Sequence, residues 1–326
     1  MSAARSFSSL RLGARLLGDL PAYLRRPMSV EEAREVVQRR IEGRQEAFLD
    51  VMRRGVFEWE ASPYLRLLDA AGCELGDLEE LVASEGVEGA LSRLLEAGVY
   101  LTVDEFKGRR AVERGSLSFE VETEKLCNPL ARFHVAASSS GSRGGGTPVL
   151  MDLDYVRACA ASCSVSLAAR GGSDWVKAIW EIPGAGARFR MLKYSGFGRP
   201  PVKWFSQLDI ASGDLDPMFR WSERAARWTA RLAGVRFPEP QIASVDDPLP
   251  FARWMRQILD AGETPHSLSF VTSAVRLSRA AVEAGIDLTG AQLTLGGEPV
   301  TSVRMEAIAE SGIIGRPRYG SMEVGP

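Results

Sequence analysis

The chain has 326 residues, of which 45% are hydrophobic and 25% are charged, and it carries a formal net charge of −2. A chain of this length can bury a sizeable core and forms one large or two moderate domains. Its balanced charge gives no general attraction to nucleic acid or to anionic lipid. No apolar run approaches the roughly 18 to 20 residues that a membrane span needs. We therefore expect neither a nucleic-acid partner nor a membrane span.

The amino-terminal region, residues 1–115, is predicted to be helical. Its first 27 residues are rich in arginine and are interpreted as an amphipathic surface helix. Ser29 and Glu32 then form a capping-box pattern at the start of a helix that the apolar spacing extends to residue 54. Further helices are predicted over residues 63–71 and 76–99, the second with breaks at Gly86 and Gly89.

Residues 116–326 read as alternating strand and helix, which predicts an α/β fold of layered sheets with flanking helices. Asp152 or Asp154 is expected to cap a helix over residues 155–170. The remaining predicted strands cover residues 116–124, 132–138, 174–182 and 203–209. Helices are predicted over residues 220–234 and 274–285. Residues 291–312 follow as a strand, a turn and a helix.

The four cysteines are too few for a disulfide framework, and no secretory signal is visible, so we expect a cytoplasmic protein. Cys159 and Cys163 are four residues apart on one face of a predicted helix. With only two histidines in the chain, a full set of metal ligands is hard to assemble. We interpret these cysteines as small buried hydrophobic residues.

A loop of small residues, 139–147, lies between a predicted strand and a predicted helix. Successive backbone N–H groups in such a loop can face an anion, helped by the helix amino-terminus. The loop offers hydroxyl donors at Ser139, Ser140, Ser142 and Thr147, glycines that permit close approach at Gly141, Gly144, Gly145 and Gly146, and a charge at Arg143. Phosphate is the expected ligand, and a flexible surface loop is the alternative interpretation.

The two familiar nucleotide motifs do not fit this loop. Gly141 and Gly146 have P-loop spacing, but Thr147 and Pro148 stand where that motif needs lysine and a hydroxyl. Gly144 and Gly146 are followed by Val149 where the dinucleotide fingerprint needs glycine. A P-loop NTPase and a Rossmann dinucleotide site are therefore both disfavoured.

Two later segments add candidate ligand groups. Gly296, Gly297 and Glu298 follow a predicted strand, at a position where open α/β sheets hold ligands. The last segment brings together an aromatic ring, a hydroxyl and a carboxylate at Tyr319, Ser321 and Glu323, with Gly320 between the first two. Glu298 as a turn residue and Glu323 as a surface charge are the alternatives for each segment taken alone.

In this order, the three segments resemble motifs of the adenylate-forming superfamily of acyl-CoA synthetases, most closely its phenylacetate-CoA ligase-like branch. "SSGSRGGGTPV", at 139–149, resembles the "SSGTTGxP" phosphate loop of that family. The glycine pair with Glu298 is similar to its "GGE" turn, and residues 319–323 are similar to its "YGxTE" motif. Residues 61–72, "ASPYLRLLDAAG", are similar to a segment that precedes the phosphate loop in these proteins.

This resemblance implies that a carboxylic acid reacts with Mg·ATP to give an acyl-adenylate, which a thiol such as coenzyme A then attacks. It implies that residues 139–147 hold the β and γ phosphates and that Gly296, Gly297 and Glu298 border the adenine. It further implies that Tyr319 packs near the adenine, with Gly320 in the same motif, that Ser321 approaches the α-phosphate and that Glu323 contacts Mg²⁺. Arg143 and Glu323 are the catalytic candidates.

The sequence also departs from the family pattern. Val149 stands where a lysine commonly ends the phosphate loop, and Arg143 is a candidate substitute. The chain ends at Pro326, before the ribose-binding aspartate and the mobile carboxy-terminal domain that the family pattern leads one to expect. A fragment of a longer synthetase and a subunit that a partner chain completes are both compatible with this.

The acid itself cannot be read from the sequence. Trp204, Phe205, His266 and Phe270 are candidates for an acyl pocket, but core packing is the favoured interpretation of these side chains. His266 has no visible partner to orient it as a base. Besides the carboxylate-activating ligase, two functions remain open. One is a catalytically silent nucleotide-binding or scaffold protein. The other is an acyl-protein synthetase that uses a cysteine thiol, for which Cys127, Cys159 and Cys163 are considered.

Overall fold

The structure is a computed structural model that describes residues 2–138, 148–208 and 217–320. Within these ranges it is a mixed α/β protein with twelve α-helices and ten strands. The helices are α1 (Ser2–Leu24), α2 (Val30–Glu42), α3 (Arg44–Met52), α4 (Pro63–Ala71), α5 (Leu75–Glu96), α6 (Val103–Phe106), α7 (Leu153–Ala168), α8 (Ala185–Ser195), α9 (Pro217–Leu232), α10 (Leu249–Asp260), α11 (Val271–Glu283) and α12 (Ser302–Ala309). The strands are β1 (Val112–Arg114), β2 (Leu117–Phe119), β3 (Val135–Ser138), β4 (Pro148–Met151), β5 (Val176–Trp180), β6 (Lys203–Ser206), β7 (Pro240–Ile242), β8 (Pro265–Phe270), β9 (Gln292–Gly296) and β10 (Ile314–Pro317).

The chain divides into two compact units. The first, the sheet unit, holds Met1–Val37, His134–Ala137 and Met151–Pro326, and the second, the helical unit, holds Gln38–Phe133 and Ser138–Leu150. The predicted boundary between the helical region and the α/β region, after residue 115, falls inside the helical unit, at the short hairpin of β1 and β2.

A six-stranded sheet forms the centre of the sheet unit, with the strand order β10-β9-β8-β5-β6-β7 and parallel pairing at every junction. This is a doubly wound order. The chain starts at the central strand β5, adds β6 and β7 on one side, and then adds β8, β9 and β10 on the other side. The reversal point lies between β5 and β8. In open sheets of this kind, ligands bind beyond the carboxyl ends of the strands.

Both faces of this sheet are covered by helices. Leu293 and Leu295 of β9 point to one face, where they join a core with Trp180, Phe251 and Leu277 that α10, α11 and α12 complete. Thr294, which lies between the two leucines, points to the opposite face, towards α7 and α8, because successive strand residues alternate in direction.

The helical unit has its own core, formed by apolar residues of α3, α4 and α5 together with the β1–β2 hairpin. The single helix predicted up to residue 54 is wrong. Helix α2 ends at Glu42, α3 begins at Arg44, and a π-helical turn, Arg53–Phe57, follows. The break predicted at Gly86 is present as a residue with φ of 72° inside α5, whereas Gly89 continues the helix.

Several boundaries follow local chemistry. Asp152 is the residue that caps α7, and its side chain accepts a hydrogen bond from the Tyr155 N–H. Thr301 caps α12 in the same way, by accepting from the Arg304 N–H. Helix α1 buries Leu16, Leu20 and Leu24 on one side, as an amphipathic helix does. None of the described helices is long and apolar enough to cross a membrane.

Candidate functional site

The two later sequence segments lie side by side at the carboxyl ends of β9 and β10. The Arg318 N–H, just past β10, donates a 2.7 Å hydrogen bond to the carbonyl of Leu295 in β9. A Cβ atom placed on Gly296 would lie 3.3 Å from the Arg318 carbonyl oxygen. Parallel pairing therefore brings the glycine turn and the Arg318-Tyr319-Gly320 segment to the same edge of the sheet.

Gly297 is required by the local backbone and by packing. Its φ of +80° lies in the left-handed region that favours glycine. A Cβ atom there would also lie 2.5 Å from Cε1 of Phe270, at the end of β8. The glycine turn after β9 is thus packed tightly against the end of the neighbouring strand.

Glu298 holds the start of α11. Its Oε2 atom accepts hydrogen bonds from the backbone N–H and from the hydroxyl of Thr272, each at 2.7 Å. The guanidinium of Arg304 lies 4.0 Å from the same oxygen. A carboxylate at a helix amino-terminus satisfies a free N–H group and opposes the positive end of the helix dipole. The side chain is therefore more than an exposed turn residue, and its predicted place beside an adenine stays a prediction.

A small pocket opens on the α7 side of these strands. This inner pocket has a volume of about 230 Å³ and is lined by Cys163 and Ser166 of α7, Tyr194 of α8, His266 and Leu268 of β8, Thr294 of β9, and Arg318 and Tyr319, among other residues. It combines apolar walls with a few polar groups, which is the usual composition of a small-molecule site.

His266 is buried in the wall of the inner pocket. Its Nε2 atom lies 2.9 Å from the Thr294 hydroxyl, so the strand next to it supplies the orienting partner that the sequence did not reveal. Its Nδ1 atom has no hydrogen-bond partner among the residues described. Burial, followed by the nearby charges of Lys177, Arg170 and Lys193, lowers the pKa of His266 well below its usual value. The imidazole is therefore neutral near pH 7.

Lys193 of α8 is a second buried polar group next to this pocket. It is 1% exposed, and its ammonium lies over the rings of Phe189 and Tyr194, at 5.5 and 5.3 Å from their centroids. Burial lowers the pKa of Lys193 to about 8, because desolvation penalises the charged form. A large fraction of this side chain is thus neutral only slightly above physiological pH.

A buried ion pair ties the central strands together at the reversal point. The Arg190 guanidinium lies 2.8 Å from a carboxylate oxygen of Glu181, which directly follows β5. Arg190 also donates a hydrogen bond of 2.9 Å to the Leu268 carbonyl of β8. This pair fixes the separation of β5 and β8 on the side where the inner pocket lies.

Sequence reasoning missed the side chains that α8 contributes, and for most of the acyl-pocket candidates the structure shows core packing. The segment "RFRMLKY", at 188–194, offers one signal, because basic residues interrupt its apolar pattern. Of the acyl-pocket candidates, Trp204 and Phe205 lie buried in β6 and are not among the residues that line the inner pocket. Phe270 packs against Gly297. His266 alone of the four reaches the pocket.

The other predicted site residues are distributed as follows. Tyr319 is 96% exposed and borders the inner pocket, with Gly320 next to it. The remaining candidates lie outside the described residues: Ser139, Ser140, Gly141, Ser142, Arg143, Gly144, Gly145, Gly146, Thr147, Ser321 and Glu323. Among the residues that are described, no group of three or more His, Cys, Asp or Glu side chains could hold a metal ion.

No protein-family model matches the sequence, and no curated protein is significantly similar to it. Among solved structures, the crystal structure of VinN matches with 13% sequence identity and a TM-score of 0.32, over 74% of this chain. The match spans 44% of the VinN chain.

Proposed function

We propose that this chain takes part in the ATP-dependent activation of a carboxylic acid as an acyl-adenylate, for transfer to coenzyme A or another thiol. In this proposal residues 139–147 and Ser321 contact the ATP phosphates, the glycine turn and Tyr319 border the adenine, and Glu323 contacts Mg²⁺. The observation that carries the proposal is the adjacency of the glycine turn and the Arg318-Tyr319 segment at the carboxyl ends of parallel strands, directly beside the inner pocket. The three motifs in the sequence support the same assignment.

The described residues fit a nucleotide at this position. The ring of Tyr319 is almost fully exposed at the edge of the inner pocket, so a face is free to stack on a base. Arg318 lies in the same wall and has no carboxylate partner in the described part of the chain. An aromatic face beside a guanidinium suits a base that carries phosphates.

The inner pocket also suits a carboxylic acid. ATP supplies the phosphorus centre and the pyrophosphate leaving group. Arg318 provides a positive charge for the carboxylate, and neutral His266 forms part of the wall. Leu268 and Tyr194 give apolar surface for an aryl or acyl group of limited size. Such a site acts by positioning the acid and neutralising charge.

Nucleotide binding is tested by the thermal unfolding midpoint of the purified chain with and without Mg·ATP and AMP. A ligand that binds only the native state stabilises it by about 2.7 kcal/mol at a hundred times its Kd. We expect Mg·ATP to raise the midpoint, and Tyr319→Ala to reduce the rise. Trp228→Ala is the matched control, because Trp228 is an aromatic side chain 65% exposed on α9. No rise at millimolar nucleotide in a folded sample would refute the nucleotide site.

Acid activation is tested by the exchange of labelled pyrophosphate into ATP, with a series of aryl and short acyl carboxylic acids. We expect exchange that depends on the added acid and falls in Arg318→Gln, while Arg253→Gln on α10 leaves it unchanged. Exchange that is equal with and without acid would contradict the proposal. A midpoint shift without acid-dependent exchange would favour a nucleotide-binding protein that is catalytically silent.

One observation favours a protein thiol as the acceptor. Of the three cysteines considered for acyl transfer, Cys163 lines the inner pocket, whereas Cys127 and Cys159 do not. If Cys163 takes the acyl group, the intact mass increases by that group after incubation with ATP and acid, and hydroxylamine reverses the increase. Cys163→Ser should abolish this adduct and Cys127→Ser should not. An adduct that survives Cys163→Ser would exclude this cysteine.

A further inference from the structure

A larger, positively charged cleft lies beside the inner pocket. This arginine cleft has a volume of about 620 Å³ between the carboxyl end of α7 and the last two strands, β9 and β10. Arg170 enters it from the segment that follows α7, Arg316 from β10, and Arg318 from the wall that it shares with the inner pocket. Gln292 and Thr294 of β9 form part of the floor.

The three guanidinium groups have no counter-charge in the described part of the chain. Arg170 donates to the Thr294 hydroxyl at 3.2 Å and to the Gln292 side-chain oxygen at 3.3 Å, and both acceptors are neutral. Elsewhere in the sheet unit, Arg256 and Arg276 each contact an aspartate. At the arginine cleft, by contrast, three arginines without an acidic partner among the described residues meet at one concave surface.

These like charges lie close enough to oppose one another. Burial and then the charge of Arg316 lower the pKa of Arg170, so two cations share a partly desolvated site. An anion between them would remove this repulsion and gain charge-assisted hydrogen bonds. A concave surface with one sign of charge also concentrates the electric field and attracts counter-ions.

We propose that the arginine cleft is a separate binding site for the phosphate groups of a small phosphorylated molecule, which Arg170 and Arg316 hold from opposite walls. Guanidinium groups match phosphate oxygens in pairs, which favours phosphate over a single carboxylate. A volume of about 620 Å³ accommodates a molecule of nucleotide size. The net charge of −2 disfavours a nucleic acid, which needs an extended basic surface. This site does not depend on the proposed adenylation, because Arg170 and Arg316 do not line the inner pocket.

The test is isothermal titration of the whole chain with inorganic pyrophosphate, without Mg²⁺. Arg316→Gln is the main variant, because Arg316 is exposed at the sheet edge, and Arg253→Gln matches its change in net charge at an exposed position on α10. Since a hydrogen bond to a charged group contributes about 1.5 to 3 kcal/mol, we expect affinity to fall about ten- to hundredfold in Arg316→Gln. Arg253→Gln should bind like the wild type, and Arg316→Lys should bind with intermediate affinity.

Three results would overturn the inference. The first is equal pyrophosphate binding by the wild type, Arg316→Gln and Arg253→Gln. The second is an absence of binding to the folded wild type at low ionic strength. The third is Arg316-dependent binding of a single-stranded oligonucleotide without binding of pyrophosphate, which would assign the cleft to nucleic acid. The Mg·ATP midpoint shift is measured on the same proteins. If the wild type binds pyrophosphate through Arg316 but shows no Mg·ATP shift, the proposed function fails and the arginine cleft stands.

Discussion

Replacing Gly297 by alanine tests whether the glycine turn is built for packing against β8. The substitution places a Cβ atom 2.5 Å from the Phe270 ring and forces alanine to adopt a φ of +80°. The left-handed conformation costs an L-residue about 1 to 2 kcal/mol. Displacing the aromatic ring adds the cost of overpacking, about 1 to 3 kcal/mol. We therefore expect Gly297→Ala to lower the free energy of unfolding by about 2 to 5 kcal/mol.

Gly285 supplies the matched control. It has a φ of +66°, but a Cβ atom there meets nothing within 4 Å, so Gly285→Ala carries the backbone cost without the clash. Thermal or urea unfolding of both variants, beside the wild type, isolates the packing contribution as their difference. If Gly297→Ala is no less stable than Gly285→Ala, the close approach to Phe270 is not what requires glycine.

Three further predictions concern buried charge and helix capping. Lys193→Met should stabilise the fold at pH 7 by about 3 kcal/mol. The pKa of Lys193 is about 8 in the folded protein, against 10.5 as its ordinary value. Between pH 8 and 10.5 only the unfolded chain keeps this proton, so the wild type becomes more stable as pH rises. The stabilisation by Lys193→Met should therefore shrink above about pH 8 in unfolding experiments. Arg190→Met should cost about 3 to 5 kcal/mol by leaving Glu181 buried without its partner. Adding Glu181→Gln should recover most of this loss, and an additive double variant would show that the pair is not coupled. Glu298→Gln should cost about 1 to 2 kcal/mol, because Thr272 at the start of α11 loses a charged acceptor, and unchanged stability would contradict that capping role.

Local signals predicted the elements whose chemistry is contained in a short stretch of chain. The strand, glycine turn and helix over residues 291–312 correspond to β9 and α12, with the helix capped by Thr301. The helix after the small-residue loop corresponds to α7 and is capped by Asp152. In each case the capping side chain and the spacing of apolar residues predict the same helix. The local preference of the sequence is therefore consistent with the tertiary structure.

The walls of the inner pocket could not be predicted in this way, because they depend on contacts between distant segments. His266 and Thr294 are 28 residues apart. The register of β8 and β9 places His266 opposite Gln292, so Thr294, two residues further along β9, lies on the same face within reach of the imidazole. Helix α8 was missed because glycine and charged residues interrupt its apolar pattern, and only packing against the sheet buries Lys193. The continuous helix predicted up to residue 54 failed because hydrophobic spacing does not reveal a break such as that at Gly43.

The strand order has a consequence for how the protein folds. The central strand β5 receives one neighbour, β6, from the next part of the chain, but its other neighbour, β8, comes from far along the sequence. The hydroxyl of Ser267 in β8, for instance, bonds to the carbonyl of Ala178 in β5 across a separation of 89 residues. Closing so long a loop is entropically costly, and sheets built from distant pairings fold slowly. During refolding, β5, β6 and β7 can associate first and leave one edge of β5 open until β8 arrives, so this interval is when the chain is most exposed to pairing with another copy of itself.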